Sequence, residues 1–123
     1  MVHPGRILII EDDEDVRDAL ADALRDAGLA VDVAVDGIDG LERLRAGAVP
    51  SLILLDLRMP RLCGEEFLQA MRDDEAYSHV PVITMTAAAG PTDDAEVVAH
   101  LHKPFDLRDL LQIVLSVVGV NAA

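Results

Sequence analysis

The sequence predicts a doubly wound α/β fold with a five-stranded parallel sheet, and three observations carry that prediction. Short aliphatic runs alternate with stretches of helical period along its 123 residues. Hydrophobic residues make up 51 % of the chain but aromatic ones only 2 %, so the core is expected to consist of Val, Ile, Leu and Ala. Aliphatic strands covered on both faces are the mark of parallel sheets. Finally, the runs differ in character in a way that orders them across the sheet.

Arg6–Ile10 is a continuous aliphatic run and reads as a buried strand. Asp13 to Ala27 carries Val16, Ala19, Leu20, Ala23, Leu24 and Ala27 on one helical face, and Gly28 stands where that helix would stop. Val31, Val33 and Val35 alternate with polar or small residues, as in a half-exposed strand. Asp36-Gly37 opens a second helix with Ile38, Leu41 and Leu44 inward. Leu52–Asp56 is the third strand, and Cys63 to about Arg72 the third helix, with Phe67, Leu68 and Met71 inward. Val80–Met85 is the fourth strand, led in by Pro81, and His100–His102 a short fifth. Leu107–Val118 closes the chain as a helix. Strands one, three and four are aliphatic throughout and belong at the centre; two and five alternate or are short, as edges do. The order 2-1-3-4-5 follows, with its crevice at the carboxyl ends of strands one and three.

Residues 1–123 are expected to form one domain, with no repeat or linker. The formal charge of −13 argues against direct nucleic-acid binding, which needs a basic footprint. Cys63 is the one cysteine, so neither an intramolecular disulfide nor a multi-cysteine metal site can form. No apolar run approaches the ~20 residues that cross a bilayer. Met1–Arg6 lacks a signal-peptide core, and a cytoplasmic location is expected.

Chemistry gathers at the carboxyl ends of the strands. Strand one runs into Glu11-Asp12-Asp13-Glu14-Asp15, strand three ends at Asp56, strand four at Thr86, and strand five leads into Lys103-Pro104. Two carboxylates ~5 Å apart repel by about 3 kcal/mol at an effective dielectric of 20. Such a group protonates or recruits a cation. Oxygen donors without His or Cys suit a hard ion, Mg²⁺ or Mn²⁺. A cation there, facing Asp56 and flanked by Lys103 and Thr86, makes a site for in-line phosphoryl transfer to a carboxylate. Asp13 reads instead as a helix cap or as a carboxylate that supports the metal ligands from behind, and Glu14 and Asp15 as a solvated helix start.

Several segments, in order, resemble the receiver (CheY-like) domain of two-component signalling over nearly the whole chain. They are Ile-Ile-Glu11-Asp12-Asp13 followed by Arg17; Leu-Leu-Asp56-Leu-Arg58-Met59-Pro60 with Gly64 beyond; Thr84-Met85-Thr86-Ala87; and Lys103-Pro104-Phe105. The resemblance implies that Asp56 is the phosphoacceptor. It implies that Asp12, Asp56 and the backbone carbonyl of Arg58 bind Mg²⁺, with Glu11 acting through water. Lys103 would contact the phosphoryl group and Thr86 would swing towards it. A histidine kinase or phosphotransfer protein would be the donor, and a downstream protein the target. The domain would catalyse its own phosphorylation and slow reset, as a switch and not as an enzyme acting on other molecules.

The chain departs from the family in three places. Cys63 stands where the family often has an acidic or polar cap, and is expected to be a partly buried packing residue. His100 replaces the usual Tyr or Phe that moves with Thr86; it is either a weakened or pH-dependent switch or a plain edge-strand histidine. Thr86 and Lys103 are 17 positions apart, several fewer than usual, and Gly90-Pro91 falls between them. The helix between strands four and five, the fourth of the layout, is therefore expected to be short, displaced or missing. In the last helix, Leu107, Leu110, Leu111, Val114, Leu115 and Val118 form the inward stripe, while Ile113, Val117 and Val120 form a second one, read as a dimerisation or docking strip against simple deeper burial.

Rival functions fit less well. A haloacid-dehalogenase-type phosphatase needs an acid two residues after its nucleophile, where Arg58 stands. A flavodoxin-like carrier needs a phosphate loop that Glu11-Asp12-Asp13 would repel. A non-phosphorylated pseudo-receiver serving as an adaptor or dimerisation module is the alternative kept open, and a domain excised from a longer protein is compatible with the sequence.

Overall fold

The computed structural model describes residues 2–47, 49–58, 62–87 and 96–119. Strands and helices alternate as β1 (Val2–Ile10), α1 (Glu14–Asp26), β2 (Ala30–Ala34), α2 (Gly37–Ala46), β3 (Val49–Asp56), α3 (Gly64–Arg72), β4 (Val82–Thr86), β5 (Val97–His102) and α4 (Leu107–Val118). The sheet order is β2-β1-β3-β4-β5 and every neighbouring pair is parallel. The two strands expected at the edges, the second and the fifth, do lie there.

Side chains along a strand point alternately to opposite faces, so each aliphatic strand feeds two cores. Ile7, Ile9, Leu52, Leu54, Ile83 and Met85 meet Leu20 and Leu24 of α1 and Leu110 and Val114 of α4. Leu8, Ile10, Ile53, Leu55 and Val82 meet Leu44 of α2 and Phe67, Leu68 and Met71 of α3. Each side chain fully withdrawn from water contributes about 1.5–3 kcal/mol. A continuous apolar run is required for this arrangement, and a strictly alternating one would leave half of it unfilled.

Helix ends follow their caps. Asp13 accepts from the N–H of Asp15 (2.9 Å) and Val16 (3.2 Å), as expected of a cap residue. Asp36 accepts from Asp39 N–H at 2.8 Å and starts α2. Gly28, with φ of +91°, closes α1 by reversing the chain, a conformation open to glycine.

Several boundaries differ from the sequence reading. β5 begins at Val97, not His100, because the Val82 N–H bonds the Glu96 carbonyl (2.9 Å) and draws weakly patterned residues onto the ladder of a buried strand. β1 begins at Val2, with a register shift between His3 and Ile7 where Gly5 takes φ +77°. In α1, Ala19 is exposed and Ala21 is buried instead. Ile38 and Leu107, both expected inward, are 39 % and 38 % exposed. Each lies in the first turn of its helix, at the carboxyl edge of the sheet, where no strand remains beneath it. Ile113 and Val117 are half-buried against the core, so the second stripe of α4 is largely covered from within; Val120 lies outside the described residues.

The region where the fourth helix of the layout was expected, residues 88–95, also lies outside the described residues. The described residues contain four helices, with none between β4 and β5. Among them no helix is long and apolar enough to cross a membrane.

Candidate functional site

Four parallel strands deliver their carboxyl ends to one edge of the sheet, and the register decides which residues meet there. Ile10 pairs with Leu55, so Glu11 and Asp56, one step further on, become neighbours. Asp56 pairs with Met85, which sets Thr86 one residue beyond. Thr86 pairs with His102, which brings Lys103 to the same edge. The Lys103 N–H donates to the Thr86 carbonyl at 2.9 Å and fixes that approach.

Glu11, Asp12 and Asp56 each place a carboxylate oxygen within 4.8 Å of the others. Glu11 is 0 % exposed and Asp56 is 4 % exposed, whereas Asp12 opens to solvent. The Lys103 ammonium enters this group from β5, 2.5 Å from Glu11 Oε1 and 3.5 Å from Asp56 Oδ2. Asp56 Oδ1 accepts from the Arg58 N–H at 3.0 Å, which orients the carboxylate while the Arg58 side chain stays exposed. Thr86 is buried at 1 % exposure. Asp13 caps α1, and Glu14 and Asp15 are exposed in its first turn.

Electrostatics follow from burial. Removal from water, together with the neighbouring Asp56, pushes the Glu11 carboxyl up to about 7 despite the ammonium beside it. Burial alone would lower Lys103, but the Glu11 and Asp56 carboxylates outweigh it and hold the ammonium above its usual range. One lysine thus faces two buried carboxylates. The excess negative charge is carried by a proton near neutral pH, or by a cation.

The donor chemistry fits such a cation. All three side chains offer oxygen, and the open side at Asp12 leaves room for water ligands, the preference of Mg²⁺.

The loop after Asp56 is shaped by glycine. The Gly64 N–H donates to the Leu57 carbonyl at 3.2 Å, and a Cβ on Gly64 would lie 2.6 Å from Leu57 Cα. Only a residue without a side chain lets α3 start this close to the site. Cys63, half-buried, precedes α3 and donates its N–H to Glu66 Oε1 at 3.2 Å. Met59 and Pro60 lie outside the described residues. The Lys103–Pro104 peptide is cis.

Two contacts were not foreseen from the sequence. Thr84 Oγ1 lies 2.6 Å from His100 Nδ1 across the β4–β5 ladder. A threonine and a histidine two residues short of the ends of adjacent strands are the signal that could have paired them. The Arg17 guanidinium reaches back six residues to donate to the Glu11 carbonyl at 3.1 Å. Beside Lys103 an apolar groove of about 460 Å³ opens between α1 and the start of α4, lined among others by Val16, Ala19, Phe105 and Leu107.

Comparison with known proteins agrees with this geometry. A family model described as the response regulator receiver domain matches residues 7–115. The DNA-binding dual master transcriptional regulator RpaA of Synechocystis sp. is 39 % identical over 111 residues, covering 86 % of this chain and 46 % of RpaA. The chain spans about half the length of several such regulators. Chemotaxis protein CheY4 of Vibrio cholerae superposes with a TM-score of 0.83 at 28 % identity, covering 94 % of this chain and 99 % of CheY4. The receiver domain of sensor histidine kinase PA1611 from Pseudomonas aeruginosa, solved with magnesium coordinated in its active-site cleft, gives 0.83 at 29 % identity, covering 95 % and 99 %.

Proposed function

The chain belongs to the response regulator receiver family of two-component signalling, and on that premise we propose that it takes a phosphoryl group onto Asp56 from a phosphohistidine donor, with Mg²⁺ or Mn²⁺ as cofactor. The observation that carries this reading is the set of three carboxylates within 4.8 Å of one another, with Lys103 reaching two of them. Asp12, Asp56 and the Arg58 carbonyl would hold the cation, with Glu11 acting through water. Once bound, the cation would neutralise the oxygens of the phosphoryl group in flight.

The chain's own residues supply the rest. The Arg58 N–H fixes one oxygen of Asp56 and leaves the other to attack phosphorus as the bond to the donor imidazole breaks. Lys103 exchanges its contact with Glu11 for the incoming phosphoryl oxygens, where its charge is worth most in a site shielded from water. Thr86, buried beside the site, offers the hydroxyl that turns towards the phosphoryl group and carries the change along β4. The protein is a signalling switch whose catalysis is confined to its own phosphorylation and slow reset. A histidine kinase or phosphotransfer protein is the donor, and the groove beside Lys103 is open to it.

Incubation with acetyl phosphate and Mg²⁺, followed by intact mass measurement and peptide mapping, tests the proposal. The expected result is one added phosphoryl group on Asp56, absent with EDTA and absent in Asp56→Asn. A wild-type chain that binds Mg²⁺ yet never gains that mass would favour the adaptor reading.

A further inference from the structure

We propose that Arg17 is a positioning residue that holds the Glu11–Asp12 turn in the shape a divalent cation requires. The inference rests on the cation-binding reading above and assigns the device that keeps its donors aligned.

The chain leaves the sheet at Glu11, whose N–H still donates to the Ala34 carbonyl on β2 at 3.1 Å. Two residues later it must enter α1, with the carboxylates of Glu11 and Asp12 side by side. That turn is held by few contacts. Glu11 Oε2 accepts from the Asp13 N–H at 3.2 Å, and Asp13 caps the helix. The tie from the body of the helix is Arg17. Its N–H bonds the Asp13 carbonyl at 2.9 Å, and its guanidinium Nη1 bonds the Glu11 carbonyl at 3.1 Å. Helical side chains lean towards the N-terminus, so Arg17 points towards the turn by default.

The choice of acceptor is what makes the contact informative. Arg17 is half-buried beside five consecutive acidic residues, Glu11 to Asp15, and Coulomb attraction would send a guanidinium to a carboxylate. Among the described residues it forms no ion pair and grips the main chain. The carboxylate oxygens are left for another cation, while the rigid guanidinium fixes the peptide that carries them. Arg25 provides an internal comparison. It lies on the same helix and donates to a main-chain carbonyl, that of Val31, at 3.1 Å, far from the acidic turn.

Charge and position make opposite forecasts. Removing a positive charge near a cation site tightens cation binding if charge is all that matters. It weakens binding if Arg17 aligns the donors. Mg²⁺ affinity is therefore read by calorimetric titration of the full chain for wild type, Arg17→Met, Arg17→Lys and Arg25→Met, with circular dichroism on each. We expect Arg17→Met to bind Mg²⁺ about tenfold more weakly, the size of effect seen when an outer support of a metal site is lost. Arg17→Lys, which keeps a donor without the fork, should recover part of the loss, and Arg25→Met should match wild type. Arg17→Met binding as tightly as wild type or tighter overturns the inference, as does an equal loss in Arg25→Met. Should Arg17→Met fail to fold, Arg17→Lys carries the test, with unchanged affinity overturning it. A wild-type chain without Mg²⁺ affinity defeats the underlying reading, whereas Mg²⁺ binding indifferent to Arg17 defeats the inference alone.

Discussion

Lys103 Nζ lies 2.5 Å from Glu11 Oε1 although the two residues are 92 positions apart, and this contact joins the ends of β1 and β5 across the strands between them. It is a compromise. Lys103 has two carboxylates to serve and sits closer to the one that is wholly buried. Four measurable consequences follow from this site and its supports.

The first concerns pH. Glu11 ionises in the folded chain at about 7, against 4.5 for an ordinary glutamate, so between those values the folded state holds a proton that the unfolded state has released. Stability from this residue is full below 4.5 and declines as pH rises through the window. Glu11→Gln removes the titration. Denaturant unfolding in EDTA should show Glu11→Gln more stable than wild type above pH 7 by roughly 3 kcal/mol, with the difference shrinking towards pH 4.5. A difference independent of pH would contradict the assignment.

Lys103→Met should separate binding from transfer. Loss of the ammonium frees Glu11 and Asp56 for the cation, so Mg²⁺ affinity should rise. Loss of the group that meets the phosphoryl oxygens should slow phosphorylation by acetyl phosphate about a hundredfold. Stopped-flow rates and Mg²⁺ titration on the same variant check both signs.

Thr84 and His100 should be coupled. Thr84 is 0 % exposed, so Thr84→Val strips Nδ1 of the half-buried His100 of its 2.6 Å partner. Thr84→Val alone should cost about 1–2 kcal/mol in unfolding free energy, and the same change in a His100→Phe background clearly less. A double-mutant cycle closing near 1 kcal/mol is expected. Strict additivity would show that the contact carries no energy.

Gly64→Ala should disturb both fold and site. The added Cβ meets backbone, at 2.6 Å from Leu57 Cα and 3.0 Å from the Asp56 carbonyl, and backbone cannot swing aside as a side-chain tip can. A loss of about 2 kcal/mol is expected, together with weaker Mg²⁺ binding because the displaced segment carries Asp56. Chemical denaturation and titration of the variant test both.

The legible parts of this molecule were those fixed by local chemistry. Continuous aliphatic runs such as Leu52–Leu55, set between stretches of helical period, fit central strands of a parallel sheet, and once the parallel order is set, Glu11, Asp56, Thr86 and Lys103 come to the same edge. Asp13 and Asp36 marked helix starts because their side chains satisfy N–H groups locally. What the sequence concealed depends on neighbours. Val97-Val98-Ala99 holds two β-branched residues but is only three residues long with no alternation, and it joins β5 where β4 offers a ladder. Leu107 carries the helical period of its stripe yet looks outward, since periodicity says which side faces the sheet and not where the sheet ends. Arg17 reads only as one member of a motif carried by resemblance, with no contact assigned to it, until the fold shows it bonded to the Glu11 carbonyl.

The most direct test of the acidic site is thermal unfolding of wild type, Asp12→Asn and Asp56→Asn across a Mg²⁺ titration at pH 8, where Glu11 is ionised. The wild-type Tm should climb with added Mg²⁺, with a stabilisation of about 2.7 kcal/mol once the free ion exceeds Kd a hundredfold. Each variant should start at a higher Tm than wild type and respond much less. A wild-type Tm that stays flat throughout the titration would contradict the claim that these three carboxylates are arranged to receive a cation.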